Sequence, residues 1–367
     1  MSKSEINLAL VAPQNNAISE TFIRAHKLLP FNIKFYYGGY FPNSLEGVET
    51  IYKFNFIEKI LFKVTNNRNL TKHAVIKSFK NEKINCILAE YGPTACEILD
   101  VARELNIPLI VHFHGFDATN TETLSVYRAE YKIVFNYASR VIVVSEKMKQ
   151  DLIKLGCEEQ KIAITPCGPN PAFLKIKPSF QKLQFIAVAR FVDVKGYLFT
   201  IAAFKKVVEK HSDAKLICIG DGPQLESCKQ FARILKLENE TVFMGAASPD
   251  EIKSALSESI AFLQHSVTLT DGLNEGSPVA VMEAMAVGLP VVCSNSGGIK
   301  DLVVNNVTGF LVDEFDIDSM ANCMVKFVEN TVLARTMGLA GKARILSHLS
   351  LEKHLNVLER VIETAVT

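Results

Sequence analysis

Two carboxylates eight residues apart stand on either side of one helix start. Residues 271–292 read DGLNEGSPVAVMEAMAVGLPVV, with Glu275 ahead of the helical stretch and Glu283 inside it. Ser277 is a good N-cap residue, and Pro278 suits the first helical position, where its missing N–H costs nothing. Helix formers run on to Val287, Gly288 fits a left-handed terminating position, and Pro290 blocks continuation. The spacing predicts a helix whose first N–H groups, around Gly276 to Val279, face an anion. Glu283 falls roughly 9 Å along the axis from the N-cap, and its side chain leans back toward the N-terminus. The pair can bracket a ligand lying over the helix start. On spacing alone, a solvated helix residue and a loop charge explain the two equally well.

Cations stand at a second strand end. Arg190 closes the apolar run QFIAVAR, and Lys195 follows in RFVDVKG before another helical stretch. Together they can neutralise a diphosphate, with Arg190 binding in bidentate fashion; taken singly, each reads as a surface charge. The turns GDGP (Gly220 to Pro223) and SGGIKDLV (Gly297, Gly298) open further helices, although such glycines also serve simple chain reversal. His114, in HFHGFD, follows the strand-like run LIVHF and reads either as an active-site group or as a hydrogen-bonded loop histidine. His112 lies deeper in that strand and is the weaker candidate.

Alternating strands and helices must hold these groups. Strand-like runs occur at 6–12, 32–37, 85–90, 108–113, 141–145 and 162–165, then at 184–190, 215–219, 241–244, 260–264, 290–293 and 309–312. Helical patterns such as 95–105 and 198–210 separate most of them. The alternation predicts an α/β chain with right-handed crossovers and parallel sheets covered on both faces. The two series meet at Pro166, Pro169, Pro171 and Pro178, residues that continue neither a helix nor a central strand. The expected domains are 1–172 and 173–350, both Rossmann-like, with the apolar-periodic segment 351–367 free to pack back onto the first. Open α/β sheets bind ligands beyond the carboxyl ends of their strands, so a cleft between two such domains is the expected place for chemistry.

Composition narrows the function classes. A length of 367 residues suits about two domains, and 48% hydrophobic with 22% charged residues argues against disorder. The net charge of +1 argues against a dedicated nucleic-acid binder. No apolar run reaches the roughly 18 residues of a membrane span, and the N-terminal MSKSEINLALVAPQNN reads as a first strand, not a signal peptide. The eight cysteines lie no closer than ten residues apart, which excludes CxxC pairs and points to buried free thiols in a reducing compartment.

The ordered motifs RFVDVKG, IGDGP, VFMGAASPDEI, EGSPVAVMEAMAVGLPVV, SGGIKDLV and TGFLV closely resemble the carboxyl-terminal domain of family 4 retaining glycosyltransferases, which have the two-domain GT-B fold. AISETFI, EYGPTA, HFHGFDAT and VIVVSEKMKQDLIKLG resemble the exopolysaccharide branch of that family, typified by colanic-acid-type transferases. The resemblance implies transfer of a sugar from a nucleotide-sugar donor with its anomeric configuration kept. It implies that Arg190 and Lys195 hold the diphosphate, that Glu283 accepts hydrogen bonds from the ribose, and that Glu275 faces the donor sugar, assisted by the backbone at Gly276 and Ser277. It also places Met244 and Gly245 beside the base, His114 near the reaction centre, and Asp117 as the residue that orients the histidine loop. No DxD-type motif follows a strand, so neither a metal nor another cofactor is expected.

Two other readings compete: another GT-B nucleotide-sugar enzyme such as an epimerase, and a non-catalytic protein that binds nucleotide sugars or glycans. A phosphorylase would need a cofactor lysine and a much longer chain. The acceptor is expected to be a saccharide or a lipid-linked saccharide. Residues 53–83 hold eight basic residues against Glu58 and Glu82, a local excess of +6, interleaved with apolar side chains. That mixture suits either docking on an anionic membrane or a solvated helix with its apolar side buried. The expected location is the cytoplasm, with peripheral contact at the inner membrane face under the docking reading.

Overall fold

The computed structural model describes residues 3–15, 21–48, 50–52 and 68–367. The chain forms two compact units, one of Met1–Val144, Met148–Thr165 and Leu355–Thr367, the other of Ser145–Lys147 and Pro166–His354. The main division falls at the head of the proline cluster.

The first unit is built on seven strands: β1 Asn7–Val11, β2 Asn32–Tyr37, β3 Ser44–Leu45, β4 Cys86–Glu90, β5 Leu109–His112, β6 Arg140–Val143 and β7 Ile162–Ile164. Their spatial order is β3-β2-β1-β4-β5-β6-β7. All pairs are parallel except β2 with β3. Strand β3 has only two residues, too short for a period-two pattern, and sequence periodicity misses it. Strand β4 is buried along its whole length, as a parallel strand covered on both faces must be. The helix Leu351–Val366 contributes Leu358, Val361 and Ile362 to this unit's core beside Leu8, Leu10 and Leu88.

The second unit is a six-stranded parallel sheet of β8 Gln184–Val188, β9 Lys215–Ile219, β10 Thr241–Gly245, β11 Ala261–Gln264, β12 Val291–Ser294 and β13 Gly309–Val312. Its order is β10-β9-β8-β11-β12-β13, the Rossmann arrangement. The chain reverses direction across the sheet between β8 and β11 here, and between β1 and β4 in the first unit. Such switch points open a crevice beyond the carboxyl strand ends, because the loops leave in opposite directions.

Candidate functional site

In the second unit, the loops at the switch point meet on Glu275. Lys195, the last residue of a 3-10 turn after β8, places its Nζ 2.5 Å from Glu275 Oε2. From β11, Gln264 Nε2 donates to the same oxygen at 3.0 Å and Ser266 Oγ donates at 3.2 Å. Gln264 Nε2 also donates to Ser266 Oγ at 2.8 Å. The Lys195 and Glu275 side chains are only 16% and 10% exposed, so their mutual charge is weakly screened.

The SGG turn fixes the height of this carboxylate. The Gly298 N–H donates to Glu275 O at 2.9 Å. A Cβ on Gly297 would lie 1.9 Å from Glu275 O, and Gly297 also has φ +53°. Only glycine lets the two backbones meet there. Gly297→Ala is expected to cost about 2–5 kcal/mol, from the left-handed backbone and the forced separation together. An unchanged urea midpoint for the variant would refute this account of the loop. In GDGP, Cβ atoms on Gly220 and Gly222 would strike the carbonyls of Ala189 and Phe191, so these glycines serve close packing.

The helix after Glu275 starts later than its spacing predicts. It runs Val279–Val287 with Pro278, in extended backbone, as its N-cap, and ends at Gly288 with φ +99°. Ser277 is therefore not the N-cap, which corrects the sequence reading. Pro278 has the φ of −69° that its ring fixes, but its ψ of 112° is extended, so the first helical residue is Val279. Ser277 Oγ is buried with no hydrogen-bond partner among the described residues, as are Ser296 Oγ and Gln264 Oε1. Glu283 is partly exposed on the helix, and burial pushes its carboxyl up to about 7.

Arg190 lies two residues beyond β8, not within it, and is exposed. It makes no ion pair among the described residues. Gly276 is buried beside Glu275. Gly245 ends β10 at φ +70°, facing open space, and its carbonyl accepts the Gly220 N–H at 2.8 Å.

In the first unit, His114 stands just past β5. Asp117 holds its loop: Oδ1 accepts the N–H groups of His114 and Gly115 at 3.1 and 2.9 Å, and Oδ2 accepts that of Gly92 at 3.0 Å. Burial raises the Asp117 carboxyl, against the opposing pull of His114 and these backbone donors. The His114 ring sits 4.5 Å from Phe22 and 4.8 Å from Tyr91, centroid to centroid.

Sequence reasoning missed the group beneath it. Glu90, the last residue of β4, has its Oε2 2.7 Å from His114 Nε2 and its Oε1 2.6 Å from His26 Nδ1. His112 Nδ1 lies 3.5 Å from Glu90 Oε2. Burial would raise this carboxyl, but the His26, His112 and His114 imidazoles around it outweigh burial and hold it well below its usual range. Burial lowers His112 to about 3, so it is neutral. The available clue was period two: His112 and His114 share a face, and parallel register pairs His112 with Glu90. His26, Glu90 and His112 place ligand-type atoms within 4.8 Å of one another, an arrangement within the first unit that could hold a metal ion.

Two Rossmann-like parallel-sheet units, with a cation–carboxylate pair at a strand switch point, define a protein of the GT-B fold. The family model for glycosyl transferases group 1 matches residues 173–344, and that for Glycosyltransferase Family 4 matches residues 36–173. The chain belongs to glycosyltransferase family 4. It is 31% identical over 272 residues, 71% of its length, to WcaL of Escherichia coli K12, a glycosyltransferase named for colanic acid biosynthesis. The chain spans 66% of the length of that relative. It is 29% identical over 281 residues to an Escherichia coli UDP-Gal:alpha-D-GlcNAc-diphosphoundecaprenol alpha-1,3-galactosyltransferase, covering 71% of this chain and 70% of that one. Its fold matches the crystal structure of HepE from Anabaena in complex with UDP, with a TM-score of 0.78 over 98% of this chain and 100% of that chain, at 18% identity.

Proposed function

We propose that this protein transfers a hexosyl group from a nucleotide-sugar donor to a saccharide acceptor in polysaccharide biosynthesis, with retention of anomeric configuration. The observation that carries the reading is the Lys195–Glu275 pair at the β8/β11 switch point, a cation and a carboxylate with the chemistry to meet a diphosphate and a sugar hydroxyl. The buried, unpartnered Ser277 and Ser296 hydroxyls beside it have the chemistry to meet ligand oxygens. The bond from the anomeric carbon to the diphosphate oxygen breaks, a bond to an acceptor hydroxyl forms, and the hydroxyl proton passes to the leaving phosphate. Negative charge grows on that phosphate, and Lys195 and the exposed Arg190 stabilise it. Glu275 orients the sugar with the Gly276 and Ser277 backbone, Glu283 accepts ribose hydroxyls, Gly245 flanks the base, and His114 acts at the donor sugar. No metal enters this scheme.

Thermal shift across a panel of nucleotide sugars identifies the donor, and NMR of the glycoside product reads its configuration. Activity should be undiminished by a chelator. Donor binding without any product would instead favour the non-catalytic reading, and a product isomeric with the donor would favour an epimerase.

A lipid-linked acceptor on the cytoplasmic leaflet is the finer proposal, supported by the relative named for a diphosphoundecaprenol-linked acceptor. No helix among the described residues is long and apolar enough to cross a membrane. Within the basic segment 53–83, residues 53–67 lie outside the described residues, as does 16–20 of the first loop. The helix Arg68–Asn81 buries Val75, Ile76 and Phe79, while Arg68 and Lys72 pair with Glu97 and Glu104. Lys77, Lys80 and Lys83 are exposed and make no ion pair among the described residues, so the membrane contact proposed rests on them together with Lys53, Lys59 and Lys63. Sedimentation with anionic vesicles that fails at low salt would remove it.

Glu283 gives a pH prediction. With its carboxyl at about 7, it is protonated in mild acid and becomes a full acceptor for ribose hydroxyls as pH rises through that value. The donor dissociation constant is expected to fall several-fold across the neutral range, and Glu283→Gln is expected to flatten the profile. The same slope in both proteins would place the titrating group elsewhere.

A further inference from the structure

Glu90 is fully buried, and none of the roles above uses it. A buried carboxylate must be compensated, and among the described residues the compensation comes from imidazoles: His26 at 2.6 Å, His114 at 2.7 Å and His112 at 3.5 Å. An ionised carboxylate only accepts hydrogen bonds, so the His114 nitrogen 2.7 Å away must carry a proton. The same holds for His26 Nδ1 on the other oxygen. His26 and Phe22 lie four residues apart on one short helix, Thr21–His26; one clamps Glu90 from below and the other covers the His114 ring. Glu90 stands on a fully buried strand, so its carboxylate has little freedom to follow a moving imidazole.

We propose that Glu90 is the positioning residue of His114: by accepting its Nε2–H, Glu90 fixes the ring plane and the tautomer in which His114 acts. The division of labour is clear from the contacts. Asp117 holds the backbone of the histidine loop, and Glu90 holds the ring. This inference rests on the reading that His114 takes part in sugar transfer, but the contact itself is tested separately. A carboxylate that sets an imidazole's tautomer contributes up to about 10⁴-fold to turnover in a well-studied dyad.

The experiment uses the full chain, with the donor found in the panel. In wild type, a ¹H–¹⁵N imidazole spectrum above the ordinary histidine range should show His114 protonated at Nε2. Glu90→Gln should lower kcat by roughly 10²-fold or more, with donor KM within about twofold, and Glu90→Asp should recover part of the loss. The Gln variant should also lose the fixed tautomer. An Nδ1–H tautomer in wild type would overturn the proposal. So would unchanged kcat in Glu90→Gln while His114→Ala is inactive. A loss of kcat matched by equal losses of Tm and donor binding would make Glu90 only structural and overturn it too. Retention of one metal ion per chain, lost both in Glu90→Gln and in His114→Ala, would also overturn it, since a ligating His114 nitrogen would carry no such proton. If His114→Ala keeps full activity, the role of His114 falls, and the wild-type spectrum still decides whether Glu90 sets its tautomer.

Discussion

Lys195→Ala is expected to weaken the donor complex and turnover about 10- to 150-fold, the worth of one charge-assisted contact of roughly 1.5–3 kcal/mol. It should also destabilise the protein. Lys195 and Glu275 lie 2.5 Å apart and are 16% and 10% exposed, so removal of the ammonium leaves a mostly buried carboxylate with Gln264 and Ser266 as its remaining side-chain donors among the described residues. Breaking a buried pair costs several kcal/mol, and the residual exposure puts this one at the lower end, about 3 kcal/mol. Arg190→Ala provides the contrast. Arg190 is exposed and makes no ion pair among the described residues, so its loss should weaken the donor by a similar factor and leave Tm unchanged. Isothermal titration with the donor and a melting curve separate the two effects. Donor affinity at the wild-type value in both variants would remove the diphosphate assignment.

Under the role proposed for it, Glu275→Gln should lower kcat about 10- to 150-fold, because a charged acceptor for the reacting sugar becomes a neutral one. The isosteric amide keeps the shape of the site. It takes from Lys195 its counter-charge and sets an amide where Oε2 now receives three donors. Glu283→Gln should act differently, mainly raising the donor dissociation constant, since the ribose lies away from the bond being broken. Steady-state kinetics with a matched titration read the difference: an interaction made only in the transition state changes kcat, and one made equally in the ground state does not. Equal and purely binding effects from both variants would end this division of roles.

Periodicity and turn chemistry act within a few residues, and they carried most of the architecture. Runs such as INLALVA and KLICI are apolar throughout because parallel strands are buried on both faces, and they fold as β1 and β9. The loops after β8 and β5 and the Glu275 loop could be named as sites because glycines, prolines and charges at strand ends have local causes. The helix Val279–Val287 starts one residue later than serine as N-cap and proline as first helical residue would set it, because those are average preferences and Pro278 takes an extended ψ of 112° in this loop.

What the residues determined by themselves is the alternating α/β pattern, the ends of the strands, and the chemical types presented there: Lys195, Glu275, Glu283 and His114. What only the tertiary structure decided is which of these meet. Lys195 and Glu275 are eighty residues apart and join on one oxygen because β8 and β11 are neighbours at a switch point. Glu90, sixty-four residues from His26 and twenty-four from His114, became the partner of both because β4 lies between β1 and β5. No local preference encodes that adjacency. Strand order follows from how whole sheets bury their faces, and a buried carboxylate shows its purpose only when the groups that neutralise it are in place.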